Sequence, residues 1–422
     1  MGYHSLGYYN NKCFKGNTQK TGHAWWYDAS REDPNNPSHF EGFIPVQKMR
    51  EFFGWSAEES IKMVATFLID GVEYEVPVTD HKALGRNDWI LNGVPENEEQ
   101  GASKILSVVS TDYGVHQPKD VFFNNVVNLV DGVDNIGIES FGELKWGRRL
   151  FASISVPENM VNAVSGLEFR PILTIVTSFD RTLATRYVRT FGIPVCDNTV
   201  NYELARAGEK DGNFILRHSK NSESKLIEAK AILGLLTEGA DEMDRQISEL
   251  ASVEVSEKHF IAWLNEMIPV PEIKKTMVTV KSIQGEDVQV EKITTNAQTA
   301  AIKKQDKLTE MWDNDPRVAP FKNTRLGILQ LWNTFQQHET GVKATKSLGA
   351  GDDEQSKKDA RVRARIEKNM DSVLSGAQTK EDITALSVIT RIQADDKELV
   401  VAVPGGAPTS TGRKAPRKAA GS

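Results

Sequence analysis

Cysteine is scarce in this chain of 422 residues, where Cys13 and Cys196 are the only two. Two thiols cannot build a disulfide framework or a multi-cysteine zinc site, and the count fits a reducing cytoplasm. Long apolar runs are missing as well. No stretch approaches the ~18 consecutive apolar residues needed to cross a bilayer, and the opening MGYHSLGYYNNKCFKG lacks the apolar centre of a secretory signal. The expectation is a cytoplasmic protein with no membrane partner. Glycine-rich phosphate loops are absent too: there is neither GxxxxGK followed by Ser or Thr, nor GxGxxG between a strand and a helix. ATP-driven chemistry is therefore not indicated. The histidines, 8 in all, include no HExxH and no pair four residues apart, so the sequence assigns no metal and no cofactor. Positive charge is not in excess either: Lys+Arg of 51 against Asp+Glu of 58 gives −7, with a pI near 5.8. Any nucleic-acid-binding face must then be local.

At 39% hydrophobic residues the chain is apolar-poor for its length, and that length suggests two or three folding units. Residues 1–44 are rich in aromatics, with Trp25, Trp26 and Tyr27 expected to dock on the body. From Pro45 to Asp70 the spacing of Met49, Phe52 and Phe53, then Ile61, Val64, Ala65 and Leu68, reads as two short helices, with Ser56 to Glu59 as a capping box. A strand over Val72–Val78 could extend back through Thr66–Ile69. Lys104–Thr111, Asn135–Phe141, Arg149–Val156, Ile172–Ser178 and Thr185–Ile193 read as strands, with a helix from Gln117 and another over Cys196–Arg206. The fold class is α+β: an antiparallel sheet with packed helices over residues 45–219. Residues 220–341 read as mainly helical, with helix starts such as Ser256 and a short β insert over Met277–Val280 and Val288–Ile293. Residues 342–422 read as a polar, partly helical to disordered basic tail, with the apolar core ending near Gly341.

The sharpest charge feature lies between Phe141 and Arg189. Lys145, Arg148, Arg149, Arg170, Arg181, Arg186 and Arg189 stand against Glu143, Glu158, Glu168 and Asp180 in an otherwise acidic protein. Trp146 sits among Lys145, Arg148 and Arg149 at a glycine-containing hairpin, and Tyr187 lies between Arg186 and Arg189. Cations interleaved with aromatics hold phosphates while a ring stacks on an unpaired base. The alternative is that these arginines pair with neighbouring carboxylates on a solvated sheet edge. Asp112, Asp131 and Asp134, near predicted element ends, are where carboxylates of a metal-dependent nuclease would sit, although turns also favour Asp. The tail adds Lys357, Lys358, Arg361, Arg363 and Arg365, then Arg413, Lys414, Arg417 and Lys418, which suit non-specific contact with nucleic acid.

The stretch FRPILTIVTSFDRTLATRYVRTFGIPVCDNTVNYELARA, from Phe169 to Ala207, resembles the phage/plasmid-like proteins, a family built around a domain of unknown function. Thr177 to Thr182 stand where that family carries a T-S-H-D-G-S-like run, with Phe179 replacing its usual polar residue. Thr190 to Val200 correspond to its T-x-x-R-V-V-C-x-N-T-L segment, with Gly192-Ile193-Pro194 altering the approach to Cys196. The resemblance spans roughly Phe40 to His338, and NTRLGILQLWNTFQQHE looks like the family's late helix. The usual N-terminal P-W-H-G-L-G is poorly matched by Ala24 to Asp28, with Trp26 in place of its His. The resemblance implies a phage or mobile-element protein in a bacterial host cell, and it brings no established activity.

The leading expectation is a non-enzymatic protein that binds single-stranded DNA, in annealing, recombination or replication. Lys145, Trp146, Arg148, Arg149, Arg186, Tyr187 and Arg189 are its expected contacts, and oligomers are possible. The alternative is a host-modulating protein whose helical half docks a bacterial partner, which exposed Trp263, Trp312 or Trp332 would support. A metal-dependent nuclease is the third reading.

Overall fold

The computed structural model describes residues 12–401, apart from 25–26, 28, 95–102, 128–129, 131–135, 157, 159, 193–198, 202–212, 220–228, 282–286, 344–350 and 376. Cys196, Asp131, Asp134, Trp25 and Trp26 lie outside the described residues, as do the last basic residues from Arg413 onward.

Its centre is an eight-stranded antiparallel sheet. The strands are β1 (Cys13–Lys15), β5 (Gly137–Leu144), β6 (Arg149–Ser155), β7 (Met160–Val161), β8 (Glu168–Ser178), β9 (Thr185–Gly192), β10 (Thr199–Asn201) and β11 (Asn213–Leu216). The order is β1-β5-β6-β8-β9-β10, with β7 beside β8 and β11 beside β9. A second sheet joins β2 (Ala57–Ile69), β3 (Val72–Arg86) and β4 (Ile105–Ser110), and β12 (Lys274–Lys281) pairs only with β13 (Asp287–Thr294) among the described residues. Antiparallel sheets with packed helices make this an α+β fold.

The central sheet has apolar side chains on both faces. On one face Ile138, Phe141, Leu150, Ile154, Leu173 and Ile175 meet Met49 of a helix at Val46–Phe52 and Val121, Phe122 and Val126 of a π-helical segment at Lys119–Val127. On the other, Cys13, Leu144, Phe151 and Val176 meet Ile366. Burial raises the Cys13 thiol well above its ordinary value, with the Glu143 charge adding to the effect, so this thiol is inert packing.

The expected second helix after Gly54 is instead strand β2. Its apolar spacing fits a helix, but Asp70 and Gly71 both take left-handed backbone angles (φ 50° and 79°), the geometry of a two-residue hairpin turn, and β2 zips onto β3 from Ile69↔Val72 back to Ala57↔Arg86. Part of the expected helix over Cys196–Arg206 is also a strand: Thr199–Asn201 pairs with Thr190–Gly192, where Thr199 and Val200 are β-branched.

The helical half follows its capping signals. Ser256 accepts from His259 N–H at the start of Glu257–Met267, and Thr324 accepts from Gly327 N–H at the start of Arg325–Thr334. Gly327 is required there, because a Cβ would lie 2.2 Å from the Phe321 carbonyl oxygen. Trp263, Trp312 and Trp332 are all buried in one core with Leu308, Ile328 and Leu331. Met243 and Ile247 of the helix Ala229–Ser252 tie this half to Leu167 and Phe169 at the start of β8.

The expectation that the core ends near Gly341 is overturned. Helix Glu354–Ser375 supplies the Ile366 that covers the sheet, and helix Ala377–Val401 sends Ala385, Val388 and Ile389 into the helical core. The Trp263 indole N–H donates to the Ala385 carbonyl at 3.0 Å. Apolar residues of these helices, among them Ile366, Ala385, Val388 and Ile389, fall at positions that touch the body. Asp382 on the same last helix is buried and accepts from the Asn333 amide at 3.1 Å. Burial, opposed by that bond and helped by the Glu381 charge, pushes its carboxyl up to about 8, so the fold holds it protonated at neutral pH.

Ile389→Ala should therefore lower unfolding free energy by about 2–4 kcal/mol, as expected for a buried aliphatic side chain. Urea unfolding of the full chain checks this, and a change below about 0.5 kcal/mol would place Ile389 at a surface instead.

Candidate nucleic-acid interface

Leu144 and Arg149 close the β5–β6 hairpin, and the four residues between them form its turn. Lys145, Trp146 and Gly147 all lie in the left-handed region (φ 53°, 58° and 85°). Left-handed backbone is costly for residues that carry a Cβ, and it persists only where surrounding packing holds it. The brace is visible beneath Gly147. A Cβ at that position would lie 3.1 Å from Arg86 Nη1 and 3.2 Å from Trp55 Cζ2.

Arg86 is itself fixed from every side. Its guanidinium lies 4.4 Å from the Trp55 ring centroid and 4.3 Å from that of Trp89, and it donates two bonds to Asp88 at 3.0 and 2.7 Å and one to Glu143 at 2.9 Å. Glu143 also takes Lys12 Nζ at 2.8 Å. Burial alone would raise this carboxyl, but Lys12 and Arg86 outweigh burial and hold it below the usual carboxylate range. At the far end of the sheet Arg170 donates to both oxygens of Glu139 at 3.0 Å, and Asn17 and Ser155 donate to the same carboxylate.

The expected contacts fall into three groups. Lys145, Trp146 and Arg148 occupy the turn and are half-buried, and Arg186 on β9 is half-buried too. Arg149 is buried and paired with Asp180 at 3.2 Å, and Tyr187 is fully buried in the sheet core, so neither reaches a ligand without opening the fold. Arg189 pairs with Leu173 in the register, and its side chain lies outside the described residues. Asp180 also accepts from Thr182 N–H at 3.1 Å, which shapes the loop presenting the exposed Arg181 (φ 65°). The Phe179 N–H donates to the Arg148 carbonyl at 2.8 Å, joining the two loops into one sheet end.

Beside this end lies a polar stack that the sequence did not announce. His218 stacks between Tyr113 and His116, with centroids 4.8 and 4.2 Å away. The Tyr113 hydroxyl donates to the Ser178 carbonyl at 3.0 Å; His116 Nδ1 lies 2.6 Å from the Thr185 hydroxyl, which is 2.7 Å from that of Thr177. These residues come from four separate segments, and no local spacing links them. Burial, reinforced by His218, lowers His116 to about 3, so the ring is neutral at physiological pH. Asp112 is exposed, and among the described residues no group of three His, Cys, Asp or Glu side chains is placed to hold a metal. Among the described residues no helix is long and apolar enough to cross a membrane.

Residues 105–362 match the model of a domain of unknown function, DUF932. The match covers more than half of the chain, which therefore belongs to that family. No match was found among curated proteins or among solved structures.

The histidine stack generates an acid sensitivity of definite sign. The unfolded chain binds a proton at His116 near pH 6.5, whereas the folded chain does so only near pH 3. The His116 contribution to stability is therefore complete above about pH 6.5 and falls as pH drops through that window, by about 1.4 kcal/mol per unit. Asp382, held protonated in the fold up to about pH 8, contributes a slope of opposite sign over the same range, so the test is a difference: from pH 6 to 4 the wild-type urea midpoint should fall relative to that of His116→Gln by the equivalent of about one proton.

Proposed function

We propose that the chain binds single-stranded DNA without catalysing a reaction, using the sheet end formed by the 145–148 turn and the 179–184 loop. The observation that carries the reading is the charge of the two joined loops: Lys145 and Arg148 in the turn and the exposed Arg181 in the 179–184 loop stand with Asp180, which Arg149 pairs at 3.2 Å. Arg149 neutralises Asp180 inside the fold, and Trp146 shares its turn with Lys145 and Arg148. A phosphodiester backbone meets Lys145, Arg148 and Arg181, and an unpaired base stacks on the Trp146 indole. The braced turn keeps the contact geometry fixed before the ligand arrives, which reduces the ordering cost of binding. Annealing or replication of unpaired DNA needs no nucleotide hydrolysis, in keeping with a sequence that has no phosphate loop. The resemblance to phage and plasmid proteins supports a mobile-element setting in a bacterial cytoplasm. The host-partner reading draws no support from Trp263, Trp312 and Trp332, because all three fill the helical core.

A salt titration with a mixture of short single-stranded oligonucleotides tests the proposal. Log affinity should fall linearly with log salt, and Arg148→Ala or Arg181→Ala should each reduce the slope by about one. Trp146→Ala should weaken binding by about 1–3 kcal/mol with little change in slope. Absence of binding at low ionic strength would sink the reading.

A further inference from the structure

The outer part of the β2–β3 hairpin is a ribbon without a third strand among the described residues. Strand β4 pairs with β3 only from His81 to Gly85, and bulges at Glu58/Ile61 and Ile61/Met63 turn the ribbon away from its base. Its register sorts the side chains. Opposite residues of an antiparallel pair share a face, and successive pairs alternate. Phe67 with Tyr74 and Ile69 with Val72 lie on one face, and that face continues toward the base through Ala65 with Val76 and Met63 with Val78. The intervening pairs, Val64 with Pro77, Thr66 with Glu75 and Leu68 with Glu73, make the other face mixed, with two acidic residues toward the tip.

The apolar face is bare. Phe67 is 51% exposed, Ile69 56%, Val72 53%, Tyr74 50% and Val76 50%. A two-stranded ribbon with one wholly apolar face is marginal in water, and a contiguous patch of this kind marks a contact surface.

We propose that this face binds the same face of a second copy of the chain, forming a two-layer sandwich of four strands. Two features select a second copy. The first is steric. The rows along the face run medium, short, tall, medium: Met63/Val78, Ala65/Val76, Phe67/Tyr74, Ile69/Val72. A two-fold axis between the short and tall rows, lying across the strands, sets Phe67 of each copy over Ala65 of the other and Tyr74 over Val76. All four rows then find partners, and tall side chains meet short ones, as interdigitated sheet packing requires. The second is area. The exposed fractions correspond to roughly 500 Å² per copy, so the pair buries about 1,000 Å², the lower bound for a specific interface. Asp70, Glu73 and Glu75 sit on the outward faces, where the two copies do not oppose like charges.

Sedimentation velocity of the full chain decides the matter. A dimer is expected at about 10 µM, dissociating on dilution as a small interface does. Phe67→Glu should yield a monomer whose unfolding midpoint matches that of the wild type measured at a concentration where it has dissociated, since the residue is half-exposed. Leu68→Glu, a neighbour on the opposite face and 76% exposed, should leave the dimer intact. A monomeric wild-type protein at all concentrations overturns the proposal, whether another part of the chain covers the face or nothing does. A dimer indifferent to Phe67→Glu overturns it equally.

Discussion

A sheet covered on both faces leaves little solvent for charges in its interior, so a buried charge there must meet an opposite one within the protein. This constraint organises the molecule. Arg170 is held by Glu139, Arg86 by Glu143 and Asp88, and Arg149 by Asp180. Such buried pairs add little net stability compared with apolar packing, yet removing one partner strands a charge at a cost of several kcal/mol. They therefore act mainly on which strands may pair and in what register. Glu139 illustrates the point: it falls at the irregularity between Ile138 and Ser140, where the extra residue turns its carboxylate toward Arg170, Asn17 and Ser155.

The same constraint divides the cationic stretch that stands out in the sequence. Its charges are neither one continuous binding strip nor a set of routine surface pairs. Arg149 and Arg170 are absorbed by the interior, and Lys145, Arg148 and Arg181 gather at one end, around a turn whose three left-handed residues have little freedom to relax. The segment matching the family model begins at residue 105, whereas Trp55, Arg86 and Trp89, which grip the underside of that turn, precede it. The turn is thus shared with the family-matched segment, while its support comes from outside that segment.

Much of the fold was legible from local signals: β4, β8 and the β12–β13 pair are rich in β-branched residues, β6 lies between turn residues, and the helix at Ser256 carries an ordinary cap. The errors have physical causes. Ile61, Val64, Ala65 and Leu68 are spaced for a helix, but the Asp70-Gly71 turn and a complementary strand beyond it decide the matter, and pairing outweighs spacing. The last two helices look like solvated tail because residues 341–369 and the final stretch of the chain are polar, yet Ile366, Ala385, Val388 and Ile389 pack into the sheet and helical cores. The candidate interface was legible as a charge imbalance but not as a geometry. Glu143 lies 57 positions from Arg86, and composition counts charges without showing which of them meet. Tyr187 reads as a stacking aromatic from its neighbours, and only the register shows that it faces the core.

The bond from the Trp263 indole to the Ala385 carbonyl spans 122 positions of sequence. During synthesis the helix carrying Trp263 leaves the ribosome long before the helix that will cover it. For that interval, on the order of ten seconds at ordinary elongation rates, the nascent helical half has an incomplete apolar surface and an indole N–H without its final acceptor. The order of translation thus makes the C-terminal helices a late lid on an already assembled body, and the interval before they arrive is when the chain has most need of a chaperone.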